Sequence, residues 1–273
     1  MSDMKDLVSW CGLLAQGSDG QPYVVDANGQ RALQFDALTI QSQMALDDPN
    51  ALALDYTRTM MGFLLFHPAP RHIAMIGLGG GSLVKYCLHA IPDASVTAVE
   101  ISPEVIALRD EFGIPPDGPR LRILCGDGAD YVRDTDEAPD ILLVDGFDLV
   151  GMPPQLCSAE FYDYCYEMLA DGGMMVVNLW SGDSRYGVYA SRIRDSFRDR
   201  FVSVRSEEDT NRILFASKDR HFPPRRTQLL ERARALDDGH PIGLPSLAQR
   251  IQHRLDRRRA FGGDNWPAAN RGR

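Results

Sequence analysis

From Arg71 onward the chain alternates short apolar runs with amphipathic stretches. The runs at 72–76, 95–100, 120–124, 140–145 and 173–179 predict strands, and the segments 82–90, 103–112, 128–133 and 158–169 between them predict helices. Buried apolar strands alternating with helices specify a mostly parallel sheet covered on both faces. Further on, "RFVSVRSEEDTNRILFAS" predicts two more strands joined as a hairpin, for a seven-stranded sheet. Upstream, "YVVDANGQRALQF" has two strand-prone arms around Asn28-Gly29, a strong hairpin turn signal. In "LDDPNALALDYTRTMMGFLLF", Asp48 can cap and Pro49 can open a helix that sets Leu52, Tyr56, Met60 and Phe63 on one face, until His67–Pro70 break it. Near the end, "SLAQRIQHRLDRRRAF" predicts one amphipathic helix. The pattern divides the chain into an N-terminal β-hairpin unit (1–47), a Rossmann-like catalytic domain (48–218) and a basic, Pro/Arg-rich C-terminal extension (219–273).

Composition narrows the classes. The 273 residues, 44% hydrophobic, are ample for one α/β core and a small appended unit. The longest apolar run, "MMGFLLF", is far shorter than a membrane span, and "MSDMKDLVSWCG" has no apolar core of signal length, so a soluble cytoplasmic protein is expected. Five cysteines without a CxxC pair or a His-Cys cluster indicate neither a disulfide framework nor a metal site. The net charge of −9 argues against a general nucleic-acid binder. That charge is uneven: residues from Asp219 onward hold 12 Lys and Arg against 6 Asp and Glu, leaving −15 on the rest. An acidic body suits a cationic substrate, and equally a solvated surface.

Candidate chemistry gathers at the predicted strand ends. Gly77, Gly79, Gly80 and Gly81 follow "IAMI" and precede a helix, a turn that lets a ligand approach the backbone and a helix N-terminus. Glu100 ends "VTAVEIS", where an acid can accept from both hydroxyls of a ribose. Asp127 ends "LCGDGAD", where an acid can accept from an adenine amino group, and Asp145 and Asp148 end "LLVDGFD". Each acid taken singly is also explained as a helix cap or a solvated loop residue; four successive tips in order are better explained by a ligand crevice. A nicotinamide dinucleotide site competes, but "GLGGGSL" lacks the third glycine of that fingerprint, and the "GDG" tip and closing hairpin fit an S-adenosylmethionine-type fold better. Trp180 stands at a strand tip and can wall a pocket. His72, Tyr162 and Tyr166 read as packing residues, and Arg257–Arg259 as a solvated helix face.

Taken together, "IGLGGGSL", "VEIS", "GDGADYV", "LLVDGFD" and "SAEFYDYCYEMLADGGMMVVN" resemble the spermidine synthase family, the polyamine aminopropyltransferases, over about Tyr23–Ser217. The resemblance implies a Rossmann-like S-adenosylmethionine-dependent transferase fold with a small N-terminal β unit. It implies that Gln41 (in "FDALTIQS"), Gly77, Gly79, Gly80, Glu100, Ile101, Asp127 and Gly128 hold the adenosyl-sulfonium substrate. It makes Asp145 the base that deprotonates the attacking amine, with Asp148, Tyr56 and Trp180 on the acceptor side. The chain departs from the family where an Asp usually stands in the turn (Gly80), where Pro usually follows the second Asp (Leu149), and in the Tyr-His-Glu cluster, for which Asp55 and Tyr56 substitute. The implied reaction moves an aminopropyl group from decarboxylated S-adenosylmethionine to an amine or polyamine and releases methylthioadenosine, without metal, in a homodimer or larger oligomer that binds neither nucleic acid nor membrane. Two alternatives remain: a methyltransferase using S-adenosylmethionine itself, and a non-catalytic nucleoside- or polyamine-binding protein.

Overall fold

The computed structural model describes residues 20–36, 40–147, 151–207 and 210–261. Asp148 and Leu149, the first part of the N-terminal unit and the last residues of the extension lie outside that set, as do the side chains of Arg258 and Arg259. Two sheets are present. Strands β1 (Tyr23–Ala27), β2 (Gln30–Gln34) and β3 (Ile40–Ala45) form an antiparallel sheet in that order. The β1–β2 turn is the predicted one: Asn28 and Gly29 both take positive φ (52° and 73°), as a two-residue hairpin loop with matching twist requires.

The larger sheet contains β4 (His72–Ile76), β5 (Ser95–Glu100), β6 (Leu121–Cys125), β7 (Ile141–Val144), β8 (Met174–Trp180), β9 (Phe201–Arg205) and β10 (Asn211–Ser217), in the order β6-β5-β4-β7-β8-β10-β9. β4 to β8 pair in parallel, and β10 runs antiparallel to both β8 and β9. The strand order turns back beside β4, so a crevice opens above the carboxyl ends of β4, β5 and β7. Alternate strand residues feed opposite cores. Ile73, Met75, Ile141 and Leu143 pack on one face, and Ala74, Ile76, Leu142 and Val144 on the other.

Helices α2 (Ser82–Ala90), α3 (Pro103–Ala107), α4 (Gly128–Asp134) and α5 (Ala159–Met168) fill the predicted slots. Side-chain oxygens at their entrances explain where three of them start: Ser102 accepts from Val105 N, Asp127 from Ala129 N and Ser158 from Phe161 N. α3 is shorter than its amphipathic pattern predicts. After Ala107 the chain passes into turns that end at Gly113 (φ 62°), held by Arg109 bonded to Asp117.

The expected helix from Pro49 is a second difference. Residues 48–54 form turns, α1 occupies only Asp55–Met60, and a 3-10 turn continues it over Met61–Leu65. Asp48 spends its cap locally, accepting from Asn50 N through its side chain and from Ala51 N through its carbonyl. Arg58 then donates to the carbonyls of Leu52 and Ala53, which a helix through those residues would need for itself.

Two helices follow that the hydrophobic pattern does not show, α6 (Tyr186–Ser196) and α7 (Arg226–Asp237), before the expected α8 (Leu244–Phe261). Leu229, Ala233, Leu244, Leu247, Ala248, Ile251 and Leu255 join the core on one face of the large sheet. Contact there is close: a Cβ at Gly62 would lie 2.6 Å from Leu247 Cδ2 and 2.9 Å from Phe215 Cζ. The basic C-terminal stretch thus supplies sheet-covering helices. The residues read as packing residues do pack. Tyr162 is fully buried, and His72 is wedged between Thr97 (3.2 Å) and Glu137 (3.3 Å). Among the described residues no helix is long and apolar enough to cross a membrane.

Lys85 ties the small sheet to the large one. It is buried on α2, and its ammonium donates to Phe112 O (2.7 Å) and Met44 Sδ (2.8 Å). Burial pushes its pKa down to about 8 from 10.5. The folded protein therefore releases this proton before the unfolded chain does. Between about pH 8 and 10.5 the unfolded state holds more protons, and the contribution of Lys85 to stability rises with pH. Urea unfolding across that range is expected to give the native protein a more positive dependence of stability on pH than Lys85→Met, with the buried thiols and phenols acting equally in both; identical pH slopes would contradict it.

Candidate active site

The crevice above β4, β5 and β7 is a cavity of about 530 Å3. Gln41, Tyr56, Gly77, Gly79, Glu100, Ile101, Asp127, Gly128, Asp145 and Trp180 all line it, so ten positions singled out in the sequence come together from β3, α1 and five successive strand ends. Gly80 does not line it. A Cβ there would lie 2.8 Å from both Phe112 Cδ1 and Ser42 Oγ, so the position faces packed side chains. Asp55 is also elsewhere: its carboxylate accepts from Glu207 N at 2.6 Å and pairs with Arg58 at 3.5 Å.

The glycine turn is built for close approach. Gly77 has φ 90°, and a Cβ on it would sit 2.2 Å from the carbonyl oxygen of Asp145. Removing that atom lets the β4 and β7 tips touch, with Asp145 N donating to Ile76 O at 2.9 Å. Gly128 plays the same part at the head of α4, where a Cβ would meet Ile76 Cγ2 at 2.2 Å.

Glu100 is buried at the end of β5. One carboxylate oxygen accepts from Leu78 N (2.9 Å) in the glycine turn and the other from Ser102 N (2.9 Å). Each oxygen keeps a second lone pair, so the pair can still accept two vicinal hydroxyls. Asp127 caps α4 through Oδ1 (2.7 Å from Ala129 N), and Gln155 reaches its Oδ2 at 3.4 Å. That loosely held oxygen can accept from an exocyclic amine. The apolar sides of the cavity include Ile101, Val99 and Leu156. This donor set fits a nucleoside: a hydroxyl-binding acid, an amine-accepting acid and apolar walls between them. Among the described residues no group of His, Cys, Asp and Glu could hold a metal ion.

Asp145 lies just past β7 and lines the cavity. Asn178 on β8 donates to its Oδ1 at 2.9 Å, and the Tyr56 hydroxyl also bonds to it. Burial raises its pKa above the ordinary carboxylate range, and the bonds from Asn178 and Tyr56 pull it part of the way back. Asn211 on β10 in turn donates to Asn178 Oδ1 at 2.9 Å. Trp180 is half exposed at the mouth, with its indole N–H donating to Thr210 Oγ1 at 2.9 Å. Sequence reasoning missed Asn178, Asn211, Thr210 and Gln155. Asn178 had a signal, being the single polar residue of the buried strand "MMVVNLW"; the others depend on tertiary pairing.

A crevice at the switch point of a mostly parallel sheet, holding a nucleoside-type donor set beside a half-buried carboxylate, defines a group-transfer enzyme of the Rossmann-like S-adenosylmethionine fold. The spermine/spermidine synthase domain family matches residues 54–181. A polyamine aminopropyltransferase of Chromobacterium violaceum is 41% identical over 187 residues, covering 68% of this chain and 72% of its own. One of Neisseria meningitidis is 37% identical over 214 residues, covering 78% and 81%. The chain belongs to the polyamine aminopropyltransferase (spermidine synthase) family and is an enzyme. Among solved structures, a probable spermidine synthase of Corynebacterium glutamicum superposes with a TM-score of 0.65 at 19% identity, over 84% of this chain and 91% of that one, which shows the shared fold.

Proposed function

We propose that the chain transfers the aminopropyl group of decarboxylated S-adenosylmethionine to an amine or polyamine acceptor, with Asp145 as the base. The observation that carries this reading is the placement of Glu100, Asp127 and Asp145 around one cavity in a chain of this family. The sulfonium substrate supplies an activated carbon whose leaving group departs as a neutral thioether and needs no proton. Glu100 and Asp127 hold the nucleoside end, and the glycine turn gives the sulfonium centre access to the strand tips. Asp145 binds the acceptor as its ammonium, takes one proton, and frees the nitrogen lone pair to attack. As the C–N bond forms, the C–S bond breaks and its electrons stay on sulfur. Catalysis is positioning plus one proton transfer. The raised pKa of Asp145 strengthens it as an acceptor of that proton. Asp148, in the same "DGFD" stretch, belongs to this reading as a further acceptor-side carboxylate, and Trp180 as the wall of the acceptor end. A soluble cytoplasmic homo-oligomer acting on small molecules completes it, and the acidic net charge of −9 supports the exclusion of nucleic acid as a partner.

The test is a panel of amines incubated with decarboxylated S-adenosylmethionine, with methylthioadenosine release and alkylated product followed by mass spectrometry. Stoichiometric formation of both is expected. Product formation only from S-adenosylmethionine, with S-adenosylhomocysteine released, would replace the reading with methyl transfer.

A further inference from the structure

A chain of two carboxamides runs from the β9–β10 hairpin into the site. Asn211 Nδ2 donates to Asn178 Oδ1 at 2.9 Å, and Asn178 Nδ2 donates to Asp145 Oδ1 at 2.9 Å. A carboxamide can turn either its oxygen or its NH2 toward a neighbour, and a carboxylate tolerates only the NH2. Nothing within Asn178 itself makes that choice. Its two neighbours do, the carboxylate on one side and the donor from Asn211 on the other: with the Asn178 oxygen engaged by Asn211, its NH2 is locked toward Asp145. Asn211 is held firmly enough for this task. It opens β10 directly opposite Trp180 in the antiparallel register, and its carbonyl accepts from Ser206 N at 3.0 Å.

We propose that Asn211 is a positioning residue for the base: acting through Asn178, it holds the Asp145 carboxylate in one orientation against β8 while its remaining lone pairs serve the acceptor. The kinetic part rests on the aminopropyl-transfer reading; the structural part does not. The titratable groups that share the cavity with Asp145 among the described residues are Tyr56 from α1, Glu100 from β5 and Asp127 from β6. Asn178 and Asn211 are uncharged and line the same cavity, so they act on Asp145 through the hydrogen bonds and through its solvation; Asn211→Leu and Asn211→Ala change solvation in opposite senses but remove the same hydrogen bond.

The experiment has two arms. In the first, the Asp145 carboxyl carbon, assigned by its loss in Asp145→Asn, is titrated by NMR in the native protein and in Asn178→Leu, Asn211→Leu and Asn211→Ala. Removing a donor to the ionised form is expected to raise the midpoint, by about one unit for Asn178→Leu and about half that for either Asn211 variant. The two Asn211 variants keep the buried Asn178 in place, so the test survives if Asn178→Leu fails to fold. In the second arm, Asn211→Leu and Asn211→Ala are expected to lose about tenfold in kcat, with the KM for the sulfonium substrate unchanged and the acid limb of the rate profile moved upward with the NMR midpoint. A native midpoint in both folded Asn211 variants would overturn the proposal, as would a native acid limb. If Asp145→Asn transferred at the native rate, the base assignment would fail, while the NMR arm would still decide the relay.

Discussion

Asp145→Asn is expected to reduce turnover by about 10²–10⁴, the usual contribution of a positioned general base, while the affinity for methylthioadenosine stays at the native value. The substitution keeps shape and removes charge. The adenosyl contacts assigned to Glu100 and Asp127 stand on other strand ends and do not pass through Asp145. The amine arrives protonated near neutral pH, and without the Asp145 carboxylate the ammonium is held less well and its lone pair is not released. In the native enzyme the acid limb of the kcat profile is expected above the ordinary aspartate range, because burial raises the pKa of Asp145 and activity needs its ionised form. Activity is therefore lost as pH falls through that raised value, and the Asn variant lacks the limb. Single-turnover kinetics across pH make the measurement. A native transfer rate in Asp145→Asn would remove the mechanism's base.

Glu100→Ala is expected to weaken binding of methylthioadenosine by roughly 1.5–3 kcal/mol, about one to two orders of magnitude in Kd, from the loss of a charged hydrogen-bond acceptor. The geometry adds a second consequence. Glu100 also accepts from Leu78 N and Ser102 N, one past the end of β4 and one past the end of β5. The Ala variant frees both amides and loosens the glycine turn and the head of α3 together. Glu100→Gln separates the two effects. Its amide can accept from one of the two backbone N–H groups only, so affinity is expected between those of the native protein and the Ala variant. Calorimetry with methylthioadenosine, beside thermal unfolding of each variant, distinguishes lost contact from lost fold. An unchanged Kd in a folded Glu100→Ala would take Glu100 out of the nucleoside site.

The five parallel strands were legible because each is a short, mostly apolar run; β4, β5, β7 and β8 are buried on both faces, and only β6, at the sheet edge, is partly exposed. β4 and β5 fall on their predicted residues, and β6, β7 and β8 within one or two. The glycine turn and the acids at the strand tips followed, since a strand's end dictates where the next residue points. The start of α1 was not legible. The Asp-Pro pair at 48–49 is a valid helix opening, and it lost to hydrogen bonds from Arg58 that exist only once the chain has folded around Leu52 and Ala53. Of the two helices of the C-terminal stretch, α8 was legible and α7 was hidden by charge: α7 buries only Leu229 and Ala233, too few apolar positions to announce a face.

By itself the sequence determined the sheet, its connections and the edge at which ligand chemistry gathers, because apolar periodicity and glycine placement are local properties of the chain. Only the tertiary structure decided which side chains finish the site. Asp145 is held by an asparagine 33 residues away and by the neighbour that asparagine meets across an antiparallel register. β10 enters between β8 and β9, and that insertion sets Asn211 opposite Trp180 and beside Asn178. A strand's pairing partner is chosen by the packing of the whole sheet, so contacts across it appear only when the sheet is assembled.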